Sequence, residues 1–398
     1  MTSHGVPRSS TTVRTPQAIQ ADLLKIEAYN NLVSEVQALK SKHTYSPTSL
    51  STTSSLLTQN PEFNTIWNFR RRIVLHLLLP TSSSSPISKD NDTSSSSINS
   101  DNDNDKLSLL SSELNFLFPL LQKFPKCYWI WNYRVFILQT ASTNLPLQTA
   151  LKLWKSEMGL VNKMLSRDSR NFHGWGYRRY IVQNIETLQR DINKETIKKE
   201  KEEGEEGVVG EEEEESLVEQ EFAYTTTMYG KDLSNFSAWH NRSKLIPRVL
   251  SERGATIEER RTFLDGELGE MQTAVYTDPY DQSIQLYNHW LLLESCSSKQ
   301  TTSTTSPVFS LTNSQKSETL LRTLEWMREL LDEEPDCRLL LEEMIFVGSL
   351  LRDLDETEEE EDVDRDEVKR DMQSWLEKLM EVDPMRGGRW REMQEKLM

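Results

Sequence analysis

Four times along this chain a tryptophan is followed three residues later by an arginine: Trp67 and Arg70, Trp131 and Arg134, Trp175 and Arg178, Trp239 and Arg242. The surrounding residues repeat as well. Pro61-Glu-Phe-Asn-Thr-Ile-Trp67, Pro125-Lys-Cys-Tyr-Trp-Ile-Trp131, Ser169-Arg-Asn-Phe-His-Gly-Trp175 and Leu233-Ser-Asn-Phe-Ser-Ala-Trp239 each run from a polar or turn-forming start into an apolar segment. A fifth frame, Pro279 to Trp290, keeps the spacing but loses both the Trp and the Arg, with Gln285 in the tryptophan phase. A motif recurring in phase forces each copy into the same local structure, so the chain is a repeat protein.

Trp131 to Trp175 spans 44 residues and Trp239 to Gln285 spans 46, while Trp67 to Trp131 and Trp175 to Trp239 both span 64. Each long interval holds roughly 20 to 25 residues of low-complexity sequence, and without it the period is about 44 throughout. With no Gly/Pro-rich hairpin signals, that period implies a pair of helices per repeat. The fold class expected is all-α, a right-handed α-α superhelix or crescent-shaped solenoid forming one domain over residues 1–398.

Apolar residues at helical spacing carry most of the chain. Thr15-Pro16 supplies an N-cap and a first-turn proline for a helix running through Ile19, Leu23, Ile26, Tyr29, Val33, Val36 and Leu39. Pro61 and Pro125 are placed to open the helices that follow, and Ser41 to Thr58 is a Ser/Thr-rich lead into the first repeat. Four stretches depart from the repeat: about 81–105, 193–216 and 297–317, expected to be disordered or looped out, and an acidic segment at 353–367. For the Glu/Lys run in the second, a solvated helix extension fits as well as coil.

The formal net charge is −17, but residues 198–221 account for −9 and residues 353–367 for −10, leaving the remainder near +2. No basic stripe stands out, so nucleic acid is not an expected partner. Cys127, Cys296 and Cys337 are far apart and form neither a disulfide framework nor a metal pair, which suits a reducing, cytoplasmic setting. The first 20 residues lack an apolar run, and Ile73 to Leu79 is too short to span a bilayer, so neither a signal peptide nor membrane insertion is expected.

At one phase of every repeat, Trp67, Trp131, Trp175 and Trp239 are expected in the core between stacked helices. Arg70, Arg134, Arg178 and Arg242 suit structural pairing with carbonyls or acids, or else a surface that recognises a partner. Asn171 and Asn235 precede helices as turn or cap formers. His173, His240 and His289 are far apart with no acid or Cys at ligand spacing, and no nucleophile elbow or phosphate loop exists. The residues alone contain no convincing active site.

The pattern Asn-(Phe/Tyr)-x-x-Trp-x-x-Arg on a period of about 44 resembles the α subunits of protein prenyltransferases. Tetratricopeptide arrays repeat near 34 residues and need small residues that are missing here. Within the family, Asn171 to Arg179, Thr277 to Ser283 and Val382-Asp-Pro-Met-Arg386 look most like the branch that geranylgeranylates Rab GTPases. The resemblance implies an αβ heterodimer in which the β subunit holds the catalytic Zn2+ and the lipid pocket, and this chain binds no cofactor of its own. It further implies geranylgeranyl diphosphate as lipid donor and a Rab GTPase presented by an escort protein as acceptor. One motif of such α subunits, Lys-x-Tyr ahead of a repeat Trp, reaches the diphosphate; here it is Lys126-Cys127-Tyr128. Glu62, Arg170, Ser234 and Tyr280 stand at that lysine's phase elsewhere. His4-Gly5 resembles an N-terminal His-Gly whose imidazole reaches the partner's zinc. The α subunit shared by farnesyltransferase and geranylgeranyltransferase I, and a non-enzymatic helical scaffold, are the rival expectations.

Overall fold

The computed structural model describes residues 15–79, 95–203, 216–296, 308–354 and 365–397, and all regular structure among them is helical. Two compact units divide the chain, Met1–Gly207 and Val208–Met398. The first contains α1 (Pro16–Ser41), α2 (Pro47–Gln59), α3 (Asn64–Leu77), α4 (Ser95–Lys123), α5 (Tyr128–Asn144), α6 (Leu147–Arg167) and α7 (Phe172–Glu203). The second contains α8 (Leu217–Lys231), α9 (Phe236–Glu252), α10 (Ile257–Thr277), α11 (Gln282–Cys296), α12 (Asn313–Glu333), α13 (Arg338–Arg352), α14 (Arg365–Val382) and α15 (Gly387–Leu397), with a 3-10 turn at Pro384–Arg386 before the last.

Helix pairs are the unit of packing, as the period requires. In the first unit α2 packs on α3, α4 on α5 and α6 on α7, while α3, α5 and α7 contact one another in sequence. In the second, α8 pairs with α9, α10 with α11 and α12 with α13, and α9, α11 and α13 form the corresponding layer. Trp67, Trp131, Trp175 and Trp239 are all buried, and each donates its indole N–H to the carbonyl six residues earlier: Pro61, Pro125, Ser169 and Leu233. The indole thus fills the core while its one polar atom closes the turn before its own helix. Gln285 replaces the indole in the fifth frame and points Nε2 at the Pro279 carbonyl, a weak 3.5 Å contact.

A buried carboxylate ties successive repeats together. Glu113 accepts from Arg70 at 2.7 Å and from the Tyr133 hydroxyl of the next repeat at 2.7 Å. Glu157 does the same for Arg134 and Tyr177, and Glu267 for Arg242 and Tyr287. Each tyrosine also packs on the preceding tryptophan, with ring centroids 4.8 Å apart for Trp67–Tyr133, 5.1 Å for Trp131–Tyr177 and 4.9 Å for Trp239–Tyr287. Burial and the neighbouring carboxylate push the Tyr133, Tyr177 and Tyr287 hydroxyls well above their ordinary pKa, so they remain donors. The pattern varies at two places among the described residues: Asn241 stands at the tyrosine phase of the fourth repeat, and the fifth frame departs further. Asn288 takes the arginine phase and Thr323 the glutamate phase, and Glu343 occupies the tyrosine phase and accepts from Asn288 at 3.2 Å. A cleft of about 190 Å3 has Asn288, Thr323 and Trp326 among its lining residues.

Several sequence expectations change. Ser41–Thr58 is not merely a lead-in, because Pro47–Gln59 forms α2, the partner helix of the first repeat. Ser46 caps it and Pro47 opens it, while Thr53 and Ser54 satisfy their hydroxyls on the Leu50 carbonyl and accept from Arg70 Nη1. Small hydroxylated residues are therefore what lets a guanidinium enter this interface. Pro61, Pro125 and Pro279 do not open helices; they sit in the turns before α3, α5 and α11 and offer carbonyls to the Trp or Gln side chain. Residues 95–105 belong to α4, 193–203 extend α7, exposed over 193–199, 313–317 open α12 and 365–367 open α14. Residues 216, 308–312 and 353–354 are also described, whereas 81–94, 204–215, 297–307 and 355–364, together with His4-Gly5, lie outside the described residues. The Thr15 cap and first-turn Pro16 are as expected, with Thr15 Oγ1 accepting from the Ala18 amide.

Candidate functional site

Pro125, Lys126 and Cys127 form the turn between α4 and α5, and the Pro125 carbonyl and the Cys127 thiol are tied to neighbouring segments. The Pro125 carbonyl accepts two N–H groups, the Trp131 indole at 2.9 Å and the Asn171 amide at 3.0 Å. The Cys127 amide donates to Phe124, and its thiol points at the Pro61 carbonyl of the preceding repeat, 3.5 Å away. Asn171 caps α7 with its other atom, Oδ1 accepting from the His173 and Gly174 amides. The turn is thus fixed by the repeat before it and the repeat after it.

The two candidate contact residues project from this fixed turn into solvent. Lys126 is 63% exposed at its side chain and lies 3.6 Å from Asp168 Oδ2, which is itself part-exposed. Such a pair contributes little, of order 0–1 kcal/mol, so the ammonium is free to exchange it for a stronger anion. Tyr128, 51% exposed, opens α5 with its ring 6.2 Å from that of His173. The His173 ring lies tilted against that of Phe172 with centroids 4.0 Å apart, and partial burial lowers its pKa. An exposed lysine, an exposed phenol and aromatic walls at helix N-termini suit an anionic group carrying an apolar tail.

The arginines do something else. Arg70, Arg134, Arg178 and Arg242 are all buried, so they do not form a surface that recognises a partner. Burial alone would lower the Arg134 pKa, but the Glu157 carboxylate reverses this and leaves it raised. Three carboxylates that complete such pairs, Glu113, Glu157 and Glu267, were not singled out from the sequence. Their signal was present, each lying 20 residues ahead of its tyrosine partner. The cysteines are buried and free, and burial pushes the thiols of Cys127 and Cys296 up to about 11, which makes them poor nucleophiles. Among the described residues no group of three or more His, Cys, Asp or Glu could hold a metal ion. None of the described helices is long and apolar enough to cross a membrane.

A sequence profile of the protein prenyltransferase α-subunit repeat matches residues 47–77, 110–141, 154–185 and 218–249, the four segments that carry Trp67, Trp131, Trp175 and Trp239. The geranylgeranyl transferase type-2 subunit alpha of Candida albicans is 31% identical over 97% of this chain and 96% of its own length. That of Schizosaccharomyces pombe is 33% identical over 94% and 92%. The chain belongs to the protein prenyltransferase α-subunit family. A solved structure of Candida albicans protein geranylgeranyltransferase-I complexed with GGPP contains a chain that superposes with a TM-score of 0.57, covering 94% of this chain and 91% of that one at 17% identity. This second likeness concerns the fold. As an α subunit of this family, the chain is one subunit of an enzyme whose other subunit is a β chain.

Proposed function

We propose that this chain is the α subunit of a type-2 geranylgeranyltransferase, which with a β subunit transfers geranylgeranyl from its diphosphate to C-terminal cysteines of Rab GTPases brought by an escort protein. Near-full-length similarity to type-2 α subunits in fungi supports the type. The observation that carries the chemistry is the pinned Lys126-Cys127-Tyr128 turn, the one repeat with a lysine at that phase. The zinc belongs to the β subunit in this proposal.

During transfer the allylic C–O bond of the lipid diphosphate breaks as the acceptor sulfur forms its C–S bond, and the electron pair stays on the leaving oxygen. Lys126 Nζ and the Tyr128 hydroxyl meet that growing charge. Because it grows only as the bond breaks, the contact accelerates turnover more than it tightens lipid binding. By itself the chain is inert, and it works in the cytoplasm. Co-expression with a type-2 β subunit and assay with labelled geranylgeranyl diphosphate tests the assignment. Transfer to an escort-bound Rab, and not to short C-terminal cysteine peptides, is the expected result. Transfer to such peptides without an escort would instead favour the α subunit shared by farnesyltransferase and geranylgeranyltransferase I. Transfer by the purified single chain would refute the half-enzyme assignment.

A further inference from the structure

Asn132 lies one helical turn past Tyr128 on α5, and its neighbours decide which way its amide must face. Arg71, from α3, donates Nη2 to Asn132 Oδ1 at 2.6 Å and Nη1 to Asn68 Oδ1 at 2.6 Å. Its guanidinium is further held 5.6 Å from the Tyr133 ring centroid and 5.3 Å from that of Phe136. A guanidinium has five donors and no acceptor, so the amide atom turned toward it must be the oxygen. The amide nitrogen then faces the opposite way, 3.2 Å from the Tyr128 hydroxyl. An amide nitrogen only donates, so the phenol oxygen accepts there, and the phenolic hydrogen is left for another acceptor.

We propose that Arg71 and Asn132 are positioning residues that hold Tyr128 as a hydrogen-bond donor toward the leaving diphosphate. The proposal rests on the reading above that Tyr128 touches that group. Polarity passes in one direction along the chain of contacts: the arginine fixes the amide, the amide fixes the phenol, and the phenol hydrogen points away from both. Without Asn132 the half-exposed phenol would rotate among water partners and pay orientation entropy at each turnover. Arg71 belongs to the repeat before Tyr128, so the relay joins two helix pairs through side chains 61 residues apart in sequence.

Asn132→Asp tests it in the assembled heterodimer. The carboxylate is isosteric and still accepts from Arg71, but it has no donor for Tyr128 and would take the phenolic hydrogen itself. Turnover is expected to fall at least about threefold, by no more than in Tyr128→Phe, with the lipid KM little changed. In a Tyr128→Phe background the same substitution should have no further effect, whereas a merely structural role would lower both backgrounds alike. Wild-type turnover in Asn132→Asp, alongside a slow Tyr128→Phe, overturns the relay and leaves the diphosphate contact standing. An equal loss in both backgrounds also overturns it. Wild-type turnover in Tyr128→Phe removes the contact and the relay together. Should Asn132→Asp fail to assemble, Arg71→Gln carries the same test, because a glutamine can face Asn132 with either atom and so leaves its amide free to flip.

Discussion

Arg134 grips Glu157 through two parallel contacts, Nε to Oε2 at 2.6 Å and Nη2 to Oε1 at 2.7 Å, and both side chains are almost wholly buried. Removing one partner strands the other charge in the core, a loss that typically costs about 3–5 kcal/mol. Arg134→Met and Glu157→Gln should each destabilise the first unit by about that much, with Glu157→Gln also weakening the bond from Tyr177. A double exchange to apolar residues of similar size should recover most of the loss. Urea unfolding at neutral pH measures this, and single-variant costs under about 1 kcal/mol would contradict it.

Lys126→Ala should lower turnover of the heterodimer at least about tenfold, with lipid affinity changed less and assembly intact. Losing one donor to a developing oxyanion usually costs about 10²–10³ in rate, and the lower bound allows for further cations on the partner subunit. Tyr128→Phe should act in the same direction, more weakly. Single-turnover and steady-state kinetics on gel-filtered complex separate the effects. A normally active Lys126→Ala complex would reduce this chain to a scaffold.

Gly174 opens α7 against α6, and a Cβ there would stand 2.9 Å from Leu165 Cδ2 and 3.3 Å from Cγ. Gly348 is as tight, 2.8 Å from Met372 Cγ and Sδ, but an unbranched thioether swings aside where a branched leucine in a packed core does not. Gly174→Ala should therefore cost about 1–3 kcal/mol and Gly348→Ala less, despite the similar distances. Thermal melts of the two variants should show the larger drop for Gly174→Ala; the reverse order would mean that Leu165 yields.

Glu343 is a buried carboxylate bonded to His289 and Asn288 rather than to an arginine. Burial raises its pKa, against the opposing bonds from His289 and Asn288. A carboxyl whose folded pKa is raised contributes stability fully below its unfolded value, near 4.5, and loses it as pH rises through the folded value. Glu343→Gln does not titrate, so its stability relative to the unmodified chain should improve from pH 4.5 upward. Paired melts at pH 5 and pH 7 check the slope, and a difference independent of pH would show that His289 compensates the charge throughout.

Trp67, Trp131, Trp175 and Trp239 gave the repeat away because an indole at a fixed phase has few roles besides core. The glutamates that pair with the repeat arginines were hidden by company: in a chain this acidic, Glu113 and Glu157 look like ordinary solvated charge until their spacing from Tyr133 and Tyr177 is noticed. Helix α2 was hidden by composition, since serine and threonine signal loops unless their hydroxyls find carbonyls within the helix and a guanidinium beside it. Lys126 could be picked out by phase and resemblance. Asn132 and Arg71 could not, because their meeting depends on the lateral offset of α3 and α5, which no single-sequence period encodes.

The Pro125 carbonyl is shared between Trp131 of its own repeat and Asn171 of the next, while Cys127 leans on Pro61 of the one before. The lysine's aim is therefore a collective property of three repeats. On the proposed role of Lys126, a change such as Asn171→Leu, which touches no reacting group, is expected to slow the assembled enzyme by loosening this turn. Natural variation in the activity of this subunit is to be sought in the joints between repeats.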